Sequence, residues 1–359
     1  MRAAVLQSFG SPLVSEILPD PVLGTGEVIV DVAAAGVLPY MAEVLRGERK
    51  FLLNLPAAPG AGAIGRVRAI GPDATRLAVG DWVSCDPTVR SRDGGMAPDI
   101  ILQGLTAVSP GGARLQKRFH HGSFAEQMLA PTENVFSLGE IDAADAGRWT
   151  TLNLLLVPFG GLLAANLRAG ETLLVSGATG NFGSAAVAVA LAMGAGCVIV
   201  PGRNEAMLAE LSRRFGSRVR TLILTGDEES DTAAMKRAAP GPIDCVFDIL
   251  PPSAPVDAVR AAVMTARPGG RVVLMGGVGM LGGGDLALPY PWIMRNGITI
   301  VGQWMYPPAA NMRMIQMIRS GQIDLSQWTT TEFSLDHANE AVAYAERHGG
   351  PFKAVVIRP

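Results

Sequence analysis

The chain has 359 residues, of which 48% are apolar and 17% charged, with a formal net charge of −2. That length suggests about two domains, and that composition is too apolar for a disordered chain. No block of five or more Lys/Arg occurs, so neither a nucleic-acid nor an anionic-membrane surface is indicated.

In chain order, Met1-Arg2-Ala3-Ala4-Val5 reads as a strand, with no signal peptide. Val28–Val32, Ala63–Ile70 and Trp82–Cys85 read as further strands between Gly/Pro turns, and Tyr40–Arg46 as a short helical turn. Residues 86–120 are rich in turn formers and are expected to be a surface excursion. Ala143–Leu167 is helical by pattern, with a break expected at Pro158-Phe159-Gly160-Gly161. An alternation then begins: strands at 172–176, 197–201, 220–224, 243–248 and 270–275, with helices at 183–193, 205–215, 231–238 and 255–266 between them. Such alternation means βαβ units and a parallel, doubly wound sheet. A strand at 298–302, helices at 309–319 and 336–347 and a strand at 352–357 close the chain. The tail is too small for a domain of its own, so it is expected to return to the N-terminal one.

Thr172 to Gly202 contains no charged residue and is long enough for a membrane span. Its glycines and its β-branched ends fit buried strands around a short helix better. The three cysteines, Cys85, Cys197 and Cys245, show no paired spacing, which suits a reducing cytoplasm.

The strongest chemical signal is Ser176-Gly177-Ala178-Thr179-Gly180-Asn181-Phe182-Gly183, where a strand runs into glycines and a small-residue helix follows. Such glycines let the backbone approach a pyrophosphate, and the helix N-terminus offers unpaired N–H groups. The spacing Gly-x-x-Gly-x-x-Gly opens the first βαβ unit, the context a dinucleotide site requires. An ordinary strand-to-helix turn is the alternative. The next strand ends in Gly202-Arg203-Asn204 with no carboxylate for the ribose hydroxyls. Glycine leaves room for a 2′-phosphate and Arg203 can pair with it, so NADP(H) is expected over NAD(H). The alternative is a solvated arginine, with Glu205 serving the ribose.

From these motifs the chain resembles the medium-chain dehydrogenase/reductase superfamily. The resemblance runs through Glu27–Val32, Ala35-Gly36-Val37, Pro59–Gly65, Ile70–Asp73, Val79–Val83, Gly122–Glu126, the glycine turn and Pro268–Val273. It implies an α/β chain in which a Rossmann sheet (146–303) is inserted into a GroES-like, β-rich catalytic domain (1–145 plus 304–359). It further implies an apolar cleft drawing on Leu38, Tyr40, Met41, Trp149, Phe159, Trp304 and Met305, a turn Gly276-Gly277-Val278 under the nicotinamide, and a homodimer.

The departures from the family matter more. Where its zinc alcohol dehydrogenases carry a cysteine, this chain has Leu38, and where they read Gly-His-Glu it has Gly60-Ala61-Gly62. No cysteine stands near residues 150–160, and His120-His121 reads as a solvated loop. The expectation is therefore a zinc-free enzyme, since a catalytic zinc needs three protein ligands. The chain resembles the quinone oxidoreductase and enoyl reductase branches, which implies hydride transfer from NADPH to an activated C=C bond or quinone and a small apolar electrophilic substrate. A zinc-free carbonyl reductase or alcohol dehydrogenase is the alternative, and a non-catalytic NADPH-binding sensor is another. Tyr40, two residues after the lost cysteine, is the candidate for orienting or protonating the acceptor; core packing is its plainer reading. Asp248, at a strand end, is either a cofactor contact or a structural cap.

Overall fold

The computed structural model describes residues Met1–Pro359. The chain opens with a hairpin, β1 (Arg2–Leu6) and β2 (Leu13–Ile17), then β3 (Glu27–Val37) and a single helical turn, α1 (Met41–Leu45). Next come β4 (Ala63–Ile70), β5 (Trp82–Cys85), β6 (Thr88–Arg90), β7 (Ile100–Leu102), β8 (Thr106–Ala107) and α2 (Pro110–Arg118). Strands β9 (Gln127–Pro131) and β10 (Val135–Ser137) lead to α3 (Ala146–Trp149) and α4 (Thr151–Ala164). A regular alternation follows: β11 (Thr172–Ser176), α5 (Asn181–Ala192), β12 (Cys197–Gly202), α6 (Glu205–Phe215), β13 (Val219–Ile223) and α7 (Glu228–Ala238). It continues with β14 (Ile243–Asp248), α8 (Val256–Val263), β15 (Ala266–Leu274), α9 (Tyr290–Asn296) and β16 (Thr299–Gly302). The chain ends with α10 (Ala310–Arg319), β17 (Thr329–Ser334), α11 (Ala338–His348) and β18 (Lys353–Arg358).

Two compact units result. The first holds Met1–Asn153, Leu325–Gly349 and Lys353–Pro359; the second holds Leu154–Asp324 and Gly350–Phe352. In the first unit, the strand order is β10-β5-β4-β3-β18-β17, with β9 also pairing β3. The C-terminal strand pairs antiparallel with β3, Val356 opposite Gly36, so both ends of the chain build one sheet. Val28, Val30, Ile64, Val67, Val83 and Val356 are buried along it. Each such side chain contributes about 1.5–3 kcal/mol of hydrophobic stabilisation.

Residues 86–120 are built rather than loose, contrary to the expectation of a surface excursion. Strands β6, β7 and β8 form a small antiparallel sheet. Val89, Ile101, Ala107 and Phe119 make a core beneath it. The Ser109 hydroxyl accepts the Gly112 N–H at 2.9 Å and starts α2 there.

The second unit is a six-stranded sheet in the order β13-β12-β11-β14-β15-β16. All its pairings are parallel. Val175, Val198, Ile199, Val200, Val246 and Phe247 have no exposed surface, which is why the apolar run from Thr172 reads continuously. That run is two strands and a helix, and no helix is long and apolar enough to cross a membrane.

Three other expectations are corrected. Helix α4 does not break at Pro158. A side chain on Gly160 would meet the Met305 carbonyl oxygen at 2.3 Å, and one on Gly161 would meet the Phe247 ring at 2.4 Å. These glycines let neighbouring segments press onto the helix, and that packing outweighs the lost proline N–H. The unit boundary lies at Asn153/Leu154 rather than 145/146, because α3 packs on the first unit: a side chain on Gly147 would strike Glu332. Residues 304–324 belong to the second unit, not the first. Arg313 of α10 lies 5.3 Å from the Phe159 ring centroid, which ties that helix to α4.

Candidate functional site

The loop between β11 and α5 is closed by contacts that only glycine permits. Gly177 has φ +91, the left-handed region. A Cβ on Gly183 would stand 2.0 Å from the Gly177 carbonyl oxygen, so turn and helix touch backbone to backbone. Gly180 is the N-cap of α5 with φ −92 and no side-chain cap. Its only neighbour on the side-chain side is the Gly177 carbonyl at 3.3 Å, which leaves that face open. A helix start with amides facing an open, side-chain-free cradle fits a pyrophosphate. Ala178 is buried, and Thr179 and Phe182 are half-buried. Asn181 is committed elsewhere in part: its Nδ2 donates to the Gly350 carbonyl at 2.9 Å.

At the end of β12, a Cβ on Gly202 would lie 2.7 Å from the Thr179 methyl, so the second strand end abuts the glycine turn. Arg203 beside it is exposed and in no ion pair. Asn204 is a structural cap: its Oδ1 accepts the Met207 N–H at 3.1 Å and starts α6.

Farther along the same carboxyl edge, β14 ends in Asp248, which is 2% exposed. One carboxyl oxygen, Oδ1, accepts no hydrogen bond. Burial pushes the carboxyl up to about 7, against the Ser176 hydroxyl and the Leu250 N–H, which favour the charged form. The other oxygen would lie 2.6 Å from a Cβ on Gly276. Gly277 donates its N–H to the Leu250 carbonyl at 2.8 Å, and Val278 follows half-buried. Gly276 is thus glycine because Asp248 occupies the space beside it.

The remaining candidates fall on both units. In the first, Leu38 and Tyr40 are half-buried, Met41 is fully buried and Trp149 is 8% exposed. In the second, Phe159 has no exposed surface and Trp304 is 44% exposed. Tyr40 is the N-cap residue of α1, and the Arg49 guanidinium carbon lies 4.3 Å from its ring centroid. Burial pushes the phenol up to about 12, outweighing the pull of Arg49. Tyr40 therefore keeps its proton at neutral pH and can donate a hydrogen bond.

The donor set does not suit a catalytic zinc. No group of three His, Cys, Asp or Glu side chains converges on one point. A Cβ on Gly62 would come within 2.4 Å of Asn153 Nδ2, so a carboxamide fills the space a side chain there would need. Asn153 Oδ1 is buried and accepts no hydrogen bond. His121 Nδ1 accepts the Ala58 N–H at 3.2 Å, and burial holds the ring down to about 4, so it is neutral. His120 places Nε2 2.8 Å from the Pro56 carbonyl. Cys85 is buried, its thiol pushed up to about 12 by that burial. Asn153 is absent from the candidates the sequence motifs single out; its one signal there is a lone amide within the apolar run Leu152–Leu156.

Comparison with known proteins bears on the fold and the class of chemistry. Residues 24–140 match the model of the alcohol dehydrogenase GroES-like domain, and residues 182–320 that of the zinc-binding dehydrogenases. The chain is 25% identical to the NAD-dependent alcohol dehydrogenase of Sulfurisphaera tokodaii, over 99% of this chain and 98% of that one. It is 26% identical to the sorbitol dehydrogenase of Bacillus subtilis, over 100% and 97%. Its fold matches a structure described as a zinc-binding dehydrogenase from Sinorhizobium meliloti bound to NADP, with TM-score 0.79, 19% identity, and 100% and 99% of the chains covered. The chain belongs to the medium-chain dehydrogenase/reductase superfamily. It is an oxidoreductase with a GroES-like domain and a Rossmann sheet, in a family of NAD(P)-dependent dehydrogenases.

Proposed function

We propose that the protein interconverts an alcohol and a carbonyl compound with NADP(H) in preference to NAD(H), and does so without a catalytic zinc. The observation that carries this reading is a phenol, Tyr40, that keeps its proton at neutral pH, in a chain where Leu38, Ala61 and Gly62 carry no metal-ligating side-chain atom. The relatives named alcohol and sorbitol dehydrogenases support chemistry at the carbonyl level over the C=C or quinone reduction expected from the sequence.

The bound dinucleotide supplies or takes up the hydride. The chain's residues do the rest. The Gly177–Gly183 turn would hold the pyrophosphate, and the exposed Arg203 would pair with a 2′-phosphate; Gly202 beside it packs against Thr179 and Leu208 rather than leaving the room expected of it. The Gly276-Gly277-Val278 turn supports the nicotinamide end. Tyr40 donates a hydrogen bond to the substrate oxygen, polarising the carbonyl and fixing its orientation; in reduction it passes that proton to the oxygen as the hydride arrives and regains one from water, and in oxidation the proton moves the other way. Leu38, apolar and half-buried two residues before Tyr40, favours a small apolar substrate.

A second reading, reduction of an activated C=C bond or quinone, is favoured by Leu38, which offers no polar group where a metal ligand is expected. The test is oxidation of NADPH and NADH by the chelator-treated protein with aldehydes, ketones, enones and quinones, and the reverse reaction with alcohols. Carbonyl turnover that prefers NADPH and survives chelation supports the proposal. Turnover of enones or quinones alone moves the assignment to the second reading. Activity lost on chelation and restored by zinc overturns the zinc-free mechanism. Tight NADPH binding with no turnover indicates a sensor.

A further inference from the structure

Tyr40 does not stand alone: a turn of chain brings a cation back onto its ring. Residues 46–50 double back after α1, with Gly47 at φ +78 and Lys50 at φ +54. The Glu48 N–H donates to the Glu43 carbonyl at 2.9 Å, and the Lys50 N–H to the Gly47 carbonyl at 3.1 Å, which fixes the turn. It delivers Arg49, whose Nε donates to Glu43 Oε2 at 2.7 Å. The Arg49 side chain is 14% exposed. A sheltered ion pair of this kind holds its geometry better than a solvated one. The guanidinium so pinned lies 4.3 Å from the Tyr40 centroid, a cation–π distance.

We propose that Arg49, anchored by Glu43, is a positioning residue that holds the Tyr40 ring in the orientation from which its hydroxyl meets the substrate oxygen. This rests on the assignment of Tyr40 as the hydrogen-bond donor. A planar cation stacked on the ring restricts the swing of the phenol, and that restriction preserves near-attack geometry. The charged groups acting on Tyr40 are Arg49, which favours the phenolate, and Glu43, which opposes it. Arg46, Glu48 and, from α11, Glu346 form a separate exposed set: Arg46 donates to Glu48 at 2.7 Å and to Glu346 at 2.8 Å.

The test uses the full chain and two readouts. The protein has four tyrosines, so 13Cζ-tyrosine labelling gives four signals, with Tyr40 assigned by Tyr40→Phe. In Arg49→Met the Tyr40 signal should move or broaden while those of Tyr290, Tyr306 and Tyr344 hold; Arg49→Lys should restore it only in part. Carbonyl reduction by Arg49→Met should lose about tenfold in kcat, with KM for NADPH unchanged. The same substitution in a Tyr40→Phe background should cost nothing further. Glu43→Gln, which keeps the arginine but loosens its anchor, should show the same changes at smaller size. An unmoved Tyr40 signal, or losses that multiply in the double variant, overturns the proposal. If the unmodified protein reduces no carbonyl, the reading of function falls, and with it the catalytic part of this one; the spectra then decide the hold on the ring independently.

Discussion

Asn153 keeps its carboxamide where a side chain on Gly62 would have to stand, with 2.4 Å between its Nδ2 and a Cβ built there. The Cys85 carbonyl oxygen closes the same space at 2.9 Å. Gly62→Ala should therefore destabilise the protein by about 2–4 kcal/mol, through this clash and the left-handed φ of +78. In an Asn153→Ala background the clash with the carboxamide should be recovered, while the clash with the Cys85 carbonyl and the backbone strain should remain. Thermal melts of the two singles and the double check it; simple additivity would refute the contact.

The glycine turn gives a paired prediction. Gly183→Ala drives a methyl group into the Gly177 carbonyl and should lower the melting temperature. Gly180 has a φ any residue tolerates and a single close neighbour, the Gly177 carbonyl oxygen at 3.3 Å, so Gly180→Ala should fold with only a small local shift. It should nonetheless weaken dinucleotide binding about tenfold or more, because the methyl group takes up the pyrophosphate's space. Fluorescence titration with NADPH separates the two outcomes.

Arg203 tests the cofactor preference. Arg203→Ser removes the exposed cation beside Gly202 and should weaken NADPH binding about 10- to 100-fold, the scale of a charge-assisted hydrogen bond. NADH binding should change little. Equal losses for both cofactors would remove the 2′-phosphate assignment.

Asp248 makes stability depend on pH. Its pKa rises from 3.8 to about 7 in the folded protein, so the folded state binds this proton more tightly than the unfolded chain does. The protonated form's advantage is present at low pH and is lost as pH rises from about 4 through 7. Its scale is on the order of a few kcal/mol. Asp248→Asn should abolish this dependence, and its melting temperature should gain on the unmodified protein from pH 5 to pH 8. A constant difference across that range would show that the carboxyl is not the titrating group.

We also propose a homodimer through the open side of β16, which pairs only with β15. An unpaired edge strand invites another strand. Beside it, Tyr290 is 76% and Met294 60% exposed on α9. The protein should elute as a dimer in size-exclusion chromatography with light scattering, and Met294→Glu should shift it towards monomer. A monomer at micromolar concentration would reject the proposal.

The parallel alternation, the glycine turn and the absence of a carboxylate after β12 were legible in the sequence, because each rests on local chemistry. Period, turn residues and strand-end residues act within a few positions of one another. The start of β15 is not legible, because Pro268-Gly269-Gly270 reads as a turn while strand pairing extends back to Ala266. Helix α9 was missed because Tyr290–Asn296 is short and follows the glycine-rich segment 276–284.

What the tertiary structure decided is which distant groups meet. The sequence by itself determined that Leu38, Ala61 and Gly62 cannot bind zinc, since none carries a ligand atom. Only the fold decided that Asn153 fills the space beside Gly62, that Asp248 loses its water beside Gly276, and that Arg49 returns to Tyr40. Desolvation and close approach depend on where separate elements pack, and no local pattern in the chain encodes that.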